Sequence, residues 1–206
     1  MKGNHTREMG LYKAFTKRWA LFCAGKEFTD KDLVYRSRLL PEADFRKIKT
    51  DRASIRFCSV FRSNLSGLWI EKGGDFTGNG WDGCSFFQAS CTGIAFTMEI
   101  YHGCTFGSAF FYQCRMTACH AEDCNYTGAL FQEGEISHST FEQCIFRGAA
   151  LARITLKDSV FSGCVFEDLK TEEILCSGVV FENCTFYGDK IQKWEGCTFQ
   201  NCILNC

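Results

Sequence analysis

The chain has 206 residues (23.4 kDa), of which 46% are apolar and 23% charged, with a formal net charge of −1. That allows one domain with a substantial core and excludes a disordered, solvating chain. A single proline, Pro41, excludes collagen-like and proline-rich classes, and no apolar run approaches the ~20 residues of a membrane-spanning helix.

In chain order, Leu11, Phe15, Trp19 and Phe22 recur at helical spacing, and Gly25 is a suitable stop. Residues 1–27 are therefore expected to form a helix that caps whatever follows. Lys13, Lys17 and Arg18 leave a basic membrane-surface helix as the rival reading. The opening Met1-Lys2-Gly3-Asn4-His5 lacks the apolar core of a secretory signal, so a cytoplasmic location is expected. From Phe28 a five-residue rhythm begins. Leu33, Phe45, Ile55, Val60, Leu65 and Ile70 take a large position, and Ala43, Ala53, Cys58 and Ser63 take a small one two residues before it. Residues 36–41 are weakly patterned and read as an irregular first coil. One extra residue between Ile70 and Phe76, within 71–74, predicts a bulge.

Downstream the rhythm is strict. Cys84, Cys104, Cys124, Cys144, Cys164 and Cys184 recur every 20 residues, each followed two residues later by a ring: Phe86, Phe106, Tyr126, Phe146, Phe166, Phe186. Three intermediate steps repeat the small/large pair, as in Ala109/Phe111, Cys114/Met116 and Ser139/Phe141. A helix of 3.6 residues per turn cannot hold a five-residue pattern on one face, whereas positions two apart share a face of an extended segment. Four steps of five per recurrence predict a coil with four sides, stacked like residue over like residue. From Phe28 to Leu204 this gives roughly nine coils, a rod on the order of 40 Å long at ~4.8 Å per strand. Between Ile191 and Phe199 the gap is eight residues, which predicts a three-residue protrusion around Trp194.

The pentapeptides Cys144-Ile145-Phe146-Arg147-Gly148, Ala149-Ala150-Leu151-Ala152-Arg153 and Glu42-Ala43-Asp44-Phe45-Arg46 resemble the A(D/N)LXX motif of pentapeptide-repeat proteins. The resemblance covers nearly everything after residue 27, with Cys favoured over Ala and Phe over Leu. It implies an all-β fold, a right-handed four-sided parallel β-helix over 28–206 behind the helical cap. Several small members of that family bind bacterial DNA gyrase or topoisomerase IV and protect against quinolones or toxins by imitating B-DNA. The resemblance thus implies a type II topoisomerase as partner, without direct nucleic-acid or membrane contact. Its alternative is a secreted effector or scaffold binding other proteins or membranes.

The residues themselves point to an interaction module and not to an enzyme. No cofactor or metal is expected: there is no CxxC pair, and Cys114, Cys119 and Cys124 fall on different sides of the coil, whereas zinc needs converging ligands. The cysteines read as reduced core residues, because in-register neighbours rarely supply disulfide torsions. His5, His102, His120 and His138 lie outward or in the amino-terminal segment, with no nucleophile placed beside them. Glu99 is the one charged residue at a small inward site, so that coil is expected either to distort or to let the carboxylate escape to water. Phe110, Tyr112 and Leu130 are expected outward on one side as a contact patch, with Trp194 as a second candidate. Charge is uneven: residues 1–60 hold 14 Lys/Arg against 7 Asp/Glu, and residues 120–206 hold 6 against 13. An unshielded last coil suggests a tail-to-tail homodimer.

Overall fold

The structure, a computed structural model, describes residues 32–188 and 194–205. The expected cap over residues 1–27, and the boundary that follows it, lie outside the described residues.

Short extended segments separated by tight corners build four parallel sheets. Among the described residues the first face carries eight strands, Asp32–Arg36 through Leu175–Ser177, and the second nine, Leu39–Pro41 through Cys197–Gln200. The fourth face carries seven, Lys49–Thr50 through Lys170–Glu172. One circuit visits the faces in order, and each strand pairs with the strand 20 residues later, as in Phe96↔Met116, Met116↔Ile136 and Ile136↔Leu156. The fold is a four-sided parallel β-solenoid.

The small and large positions point inward, as the spacing requires. Cys84, Cys104, Cys124, Cys144, Cys164 and Cys184 form one buried file on the third face, and all are free thiols. Their rings stack beside them: Phe106–Tyr126 at 4.7 Å, Tyr126–Phe146 at 4.9 Å, Phe146–Phe166 at 5.0 Å and Phe166–Phe186 at 4.7 Å, with interplanar angles of 3°, 4°, 10° and 10°. The ring spacing is the strand spacing, so stacking follows directly from in-register pairing. Polar small residues also have an interior task. Ser63 Oγ accepts from Ala43 N at 2.9 Å, Ser139 Oγ from Cys119 N at 3.1 Å and Ser159 Oγ from Ser139 N at 3.2 Å. The thiols donate weakly to strand carbonyls, as Cys144 Sγ does to Ala121 O at 3.5 Å, and the serines donate likewise, as Ser139 Oγ does to Ser137 O at 2.9 Å.

The third face is not uniform. In its early coils single bridges join Asp44, Asn64, Ser85, Thr105 and Asn125, and regular strands begin only at Ile145–Arg147. Each early residue turns its side-chain oxygen onto the backbone N–H two residues on, from Asp44 to Arg46 at 3.1 Å and from Asn125 to Thr127 at 2.9 Å. That local bond favours a turn, closed by Ala129 N donating to Tyr126 O at 3.0 Å. Ile145 and Val165 then replace the Asx and hydroxyl residues, and without an oxygen for that local bond their β-branched side chains favour the extended strand.

Two register edits interrupt the 20-residue step. Ala53 pairs with Gly74, a step of 21, which places the expected extra residue before Gly74. A Cβ on Gly74 would lie 1.8 Å from Ala53 O, so only glycine fits. Near the other end Phe181 pairs with Phe199 and Phe186 with Leu204, both steps of 18. The expected three-residue protrusion is thus corrected: the coil is two residues short, because eight residues span two pentapeptide steps instead of one. The irregular first coil is corrected too, since Asp32↔Arg52 and Leu39↔Ser59 pair in register. Its weak pattern reflects exposed Arg38 at a small site and half-buried Leu40 at a large one.

The last residue of a pentapeptide, two after the large position, commonly takes positive φ. Among the described residues twenty at positive φ are not glycine, Gln143 (φ 52°) and Asp123 (φ 53°) among them, and none of these is Val, Ile or Thr. Gln143→Val is expected to lose about 1–2 kcal/mol relative to Gln143→Gly in urea unfolding; equal midpoints would show that the corner does not demand this conformation. Phe146→Ala is expected to cost about 3–5 kcal/mol, because an interior ring leaves a cavity. Phe110→Ala, at an outward position, is expected to cost about 1 kcal/mol or less, and equal losses in the two would show the inside and outside to be misassigned.

Candidate functional site

With the core lining all four walls, chemistry is left to the outward positions and to interior exceptions. On the fourth face the strands Ser90–Thr92, Phe110–Tyr112, Leu130–Gln132 and Ala150–Ala152 carry no charged residue over four consecutive coils. Phe110 pairs with Leu130 and Leu130 with Ala150, so the expected patch is brought together on one surface. The rings of Phe110 and Tyr112 lie 6.0 Å apart at 18°. Trp69 belongs to the same column, two coils earlier, and is 46% exposed beneath the Lys49 ammonium. In the sequence, the extra residue before Gly74 hides this alignment of Trp69 with Phe110.

Charge begins where this face turns into the first. Arg153 contacts Glu133 at 3.0 Å and Glu172 at 3.1 Å. The Tyr112 hydroxyl accepts from Gln113 Nε2 at 3.4 Å, and Glu133 beside it raises the phenol's pKa, while the phenol and Arg153 lower that of the carboxyl. Beside it lies a shallow groove of about 480 Å³, floored by Gly93, Ala95 and Gly134 and flanked by Gln113, Arg115 and Glu135. Trp194 is not part of this surface. It is half-buried, with its ring edge-on to Phe181 at 5.4 Å, in the shortened last coil.

The second face has the opposite character. Asp82, His102, Glu122 and Glu142 follow one another in register, and Glu182 lies two coils further on. His102 Nδ1 sits 3.1 Å from Asp82 Oδ1, and this hydrogen bond, with Glu122 and Asp123 nearby, raises its pKa. His120 stands on the next coil opposite Ile100, and His138 is 3.9 Å from Asp158 on another corner. No nucleophile joins either histidine among the described residues.

Glu99 neither escapes nor distorts its coil. It is fully buried, and Asn79 N and Asn79 Nδ2 each donate to Oε1 at 3.0 Å, while Trp81 Nε1 donates to Oε2 at 2.6 Å. The strands Gly80–Asp82 and Ile100–His102 pair Trp81 with Tyr101, so both donors come from the coil before. Asn79 Oδ1 then accepts from Cys58 N at 2.8 Å, which extends the polar file one coil further. Burial pushes the Glu99 carboxyl up to about 7, although the Trp81 and Asn79 donors oppose the shift. The signal was in the sequence: positions 79 and 81 are the small and large sites one coil below residue 99. The Tyr101 hydroxyl, whose ring stacks on Trp81 at 6.3 Å, is the one buried side-chain polar atom without a partner among the described residues.

No family model matches the chain, and no curated protein matches it. Among solved structures it is similar to trypsin-treated QnrB1, a plasmid-mediated fluoroquinolone resistance protein, at 15% identity over 87% of this chain and 86% of that one, with a TM-score of 0.44. It is similar to HetL, a pentapeptide repeat protein involved in heterocyst differentiation regulation from the cyanobacterium Nostoc sp. strain PCC 7120, at 13% identity over 89% and 90%, with a TM-score of 0.45. Rfr23, a pentapeptide repeat protein from the cyanobacterium Cyanothece 51142, is similar at 12% identity over 86% and 90%, with a TM-score of 0.27. Independently of these likenesses, the strand registers described above make this chain a four-sided parallel β-solenoid.

The buried carboxyl sets a pH dependence. A folded pKa of about 7 against 4.5 for a free glutamate means that the folded state holds the proton more tightly. Stability from this group is complete below pH ~4.5 and is lost as pH rises through ~7, by on the order of 3 kcal/mol. Urea midpoints of the wild type relative to Glu99→Gln are expected to fall over that window; a flat difference would place the Glu99 pKa at its ordinary value.

Proposed function

We propose that the chain is a non-enzymatic protein-interaction module whose fourth face is the contact surface. The observation that carries this reading is the run of four uncharged fourth-face strands bearing Phe110, Tyr112, Leu130, Ala150 and Ala152, with the Glu133–Arg153–Glu172 ion pairs along its edge. A rigid apolar centre with a charged rim is the anatomy of a protein-binding surface. The solenoid supplies rigidity because the fourth-face strands from Trp69–Ile70 to Ala150–Ala152 are each paired on both sides.

A type II topoisomerase is the specific partner proposed. The acidic column Asp82, Glu122, Glu142 and Glu182 on the second face supports it, since carboxylates at regular coil spacing imitate the charge of a nucleic-acid backbone. An effector or scaffold acting on other proteins uses the fourth face without that column. A homodimer through the last coil would cover Ile203 and Leu204, which are 55% and 50% exposed.

In a gyrase supercoiling assay, with and without a quinolone, the purified protein is expected to alter the drug's effect. Neutralising Asp82, Glu122 and Glu142 together is expected to abolish that effect. Phe110→Asp and Leu130→Asp are expected to weaken partner binding on the order of thirtyfold, the equivalent of about 2 kcal/mol, with unchanged unfolding midpoints. No effect on gyrase under either condition sinks the topoisomerase reading. Full binding by both fourth-face variants sinks the contact surface.

A further inference from the structure

Of the twenty non-glycine residues at positive φ among the described residues, two are large and apolar, Phe57 and Met98, both at φ 54°. They share one corner, between the first and second faces, and stand two coils apart with Gly78 between them. A left-handed backbone disfavours a bulky side chain, and neither residue recovers that loss by burial, since each is more than half exposed. Ile100, which opens the strand Ile100–His102, is also more than half exposed. The Phe57 ring lies over Gly78, and Gly80, the partner of Ile100 one coil below, leaves open space where a Cβ would stand. Phe57, Met98 and Ile100 thus form an apolar rim around a floor of bare backbone.

The far edge of the same strands is acidic. Asp82 follows Gly80 by two residues, Glu122 stands two coils beyond Asp82 in register, and Asp123 occupies the adjoining corner. His102, between the two carboxylates, is held by Asp82 at 3.1 Å. Arg62, packed against Gly83, ends the acidic stretch, and Arg56 on the first face is already paired with Asp75. Both rows share one spacing: Phe57 to Met98 and Asp82 to Glu122 are each two coils, about 10 Å at ~4.8 Å per strand. Seven residues of an α-helix rise about 10.5 Å and return to the same side. Side chains on one face of an extended segment recur at about 6.6 Å and fit neither row.

We propose that this corner docks a basic amphipathic helix of a partner protein, laid along the stack of coils. Its apolar side chains at i and i+7 meet Phe57 and Met98, and the one between them settles over Gly80 against Ile100. Lysines or arginines seven apart on its flank face Asp82 and Glu122. The apolar rim supplies the contact area, and the carboxylates select a cationic segment over an anionic one. The site is distinct from the fourth-face surface. It shares Asp82 and Glu122 with the acidic column, but Phe57, Met98 and Ile100 belong to it alone, so their variants separate the two.

The probe is a fluorescein-labelled helical peptide of leucine and lysine, with leucines at i, i+3, i+4 and i+7, titrated with the full chain by fluorescence anisotropy. Saturable binding with a Kd on the order of 10 μM is expected, weakening as salt rises. Met98→Gln and Ile100→Thr place there residues that other coils carry, Gln143 at a like corner and Thr140 in the column of Ile100. Each is expected to weaken binding about tenfold with an unchanged urea midpoint. Asp82→Asn with Glu122→Gln is expected to weaken it similarly and to flatten the salt dependence. Ile145→Thr, an exposed apolar position on the third face, is expected to leave it unchanged. In the unaltered chain, bound peptide is expected to slow peroxide oxidation of the Met98 thioether about tenfold, read by mass spectrometry. No saturable binding, equal binding of a scrambled or glutamate-for-lysine peptide, or an unprotected Met98 would each overturn the proposal. So would self-association of the chain that Phe57→Gln abolishes, which would give the corner to a second copy.

Discussion

In-register stacking of parallel coils is the constraint on which the rest of this structure depends. With a 20-residue step, a side chain meets the residue 20 before it and the residue 20 after it at one strand spacing. Rings therefore meet rings and thiols meet thiols. On the outside the same rule places Glu122 beside Glu142, a like-charge neighbour that a globular surface would avoid. The consequence of any residue is read from its column, not from its neighbours in sequence.

Exceptions are absorbed by the adjacent coil. Glu99 is held by Asn79 and Trp81 one coil below. The exposed ring of Phe57 lies over Gly78, where a Cβ would come within 2.9 Å, and that of Phe87 lies over Gly107, within 3.1 Å. The interior polar residues obey the same logic. Serine and asparagine at the small position accept a backbone N–H from the preceding coil, and serine and cysteine both donate to strand carbonyls. Alanine, cysteine and serine are thus near-equivalent in volume while differing in how many backbone groups they engage. An unpaired group in a wall this dry would be expensive, and only the Tyr101 hydroxyl is left in that condition among the described residues.

Because packing consumes the inward positions, functional variety is confined to the outward ones and to the places where register changes. The uncharged run of the fourth face and the acidic column of the second face are separated by whole walls, so one partner can be gripped through shape while another potential is presented elsewhere. The shortened last coil shows the second route. Two residues removed from the step set Cys197 opposite Val179, a pairing that the regular 20-residue step does not give.

Period alone determined much of this: four sides, the thiol and ring ladders, the outward placement of Phe110, Tyr112 and Leu130, and the extra residue before Gly74 follow from spacing. The change on the third face was also legible, in the replacement of Asp44, Asn64, Ser85, Thr105 and Asn125 by Ile145 and Val165. Period did not reveal that the gap before Phe199 is a deletion, because eight residues can be read as one long step or two short ones. Only pairing with Phe181 distinguishes them. Nor did it reveal the partners of Glu99 or the alignment of Trp69 with Phe110. Those depend on which coil lies against which, and hydrogen bonds across coils are made between strands at a fixed distance in space, which a one-dimensional count loses wherever a residue is added or removed.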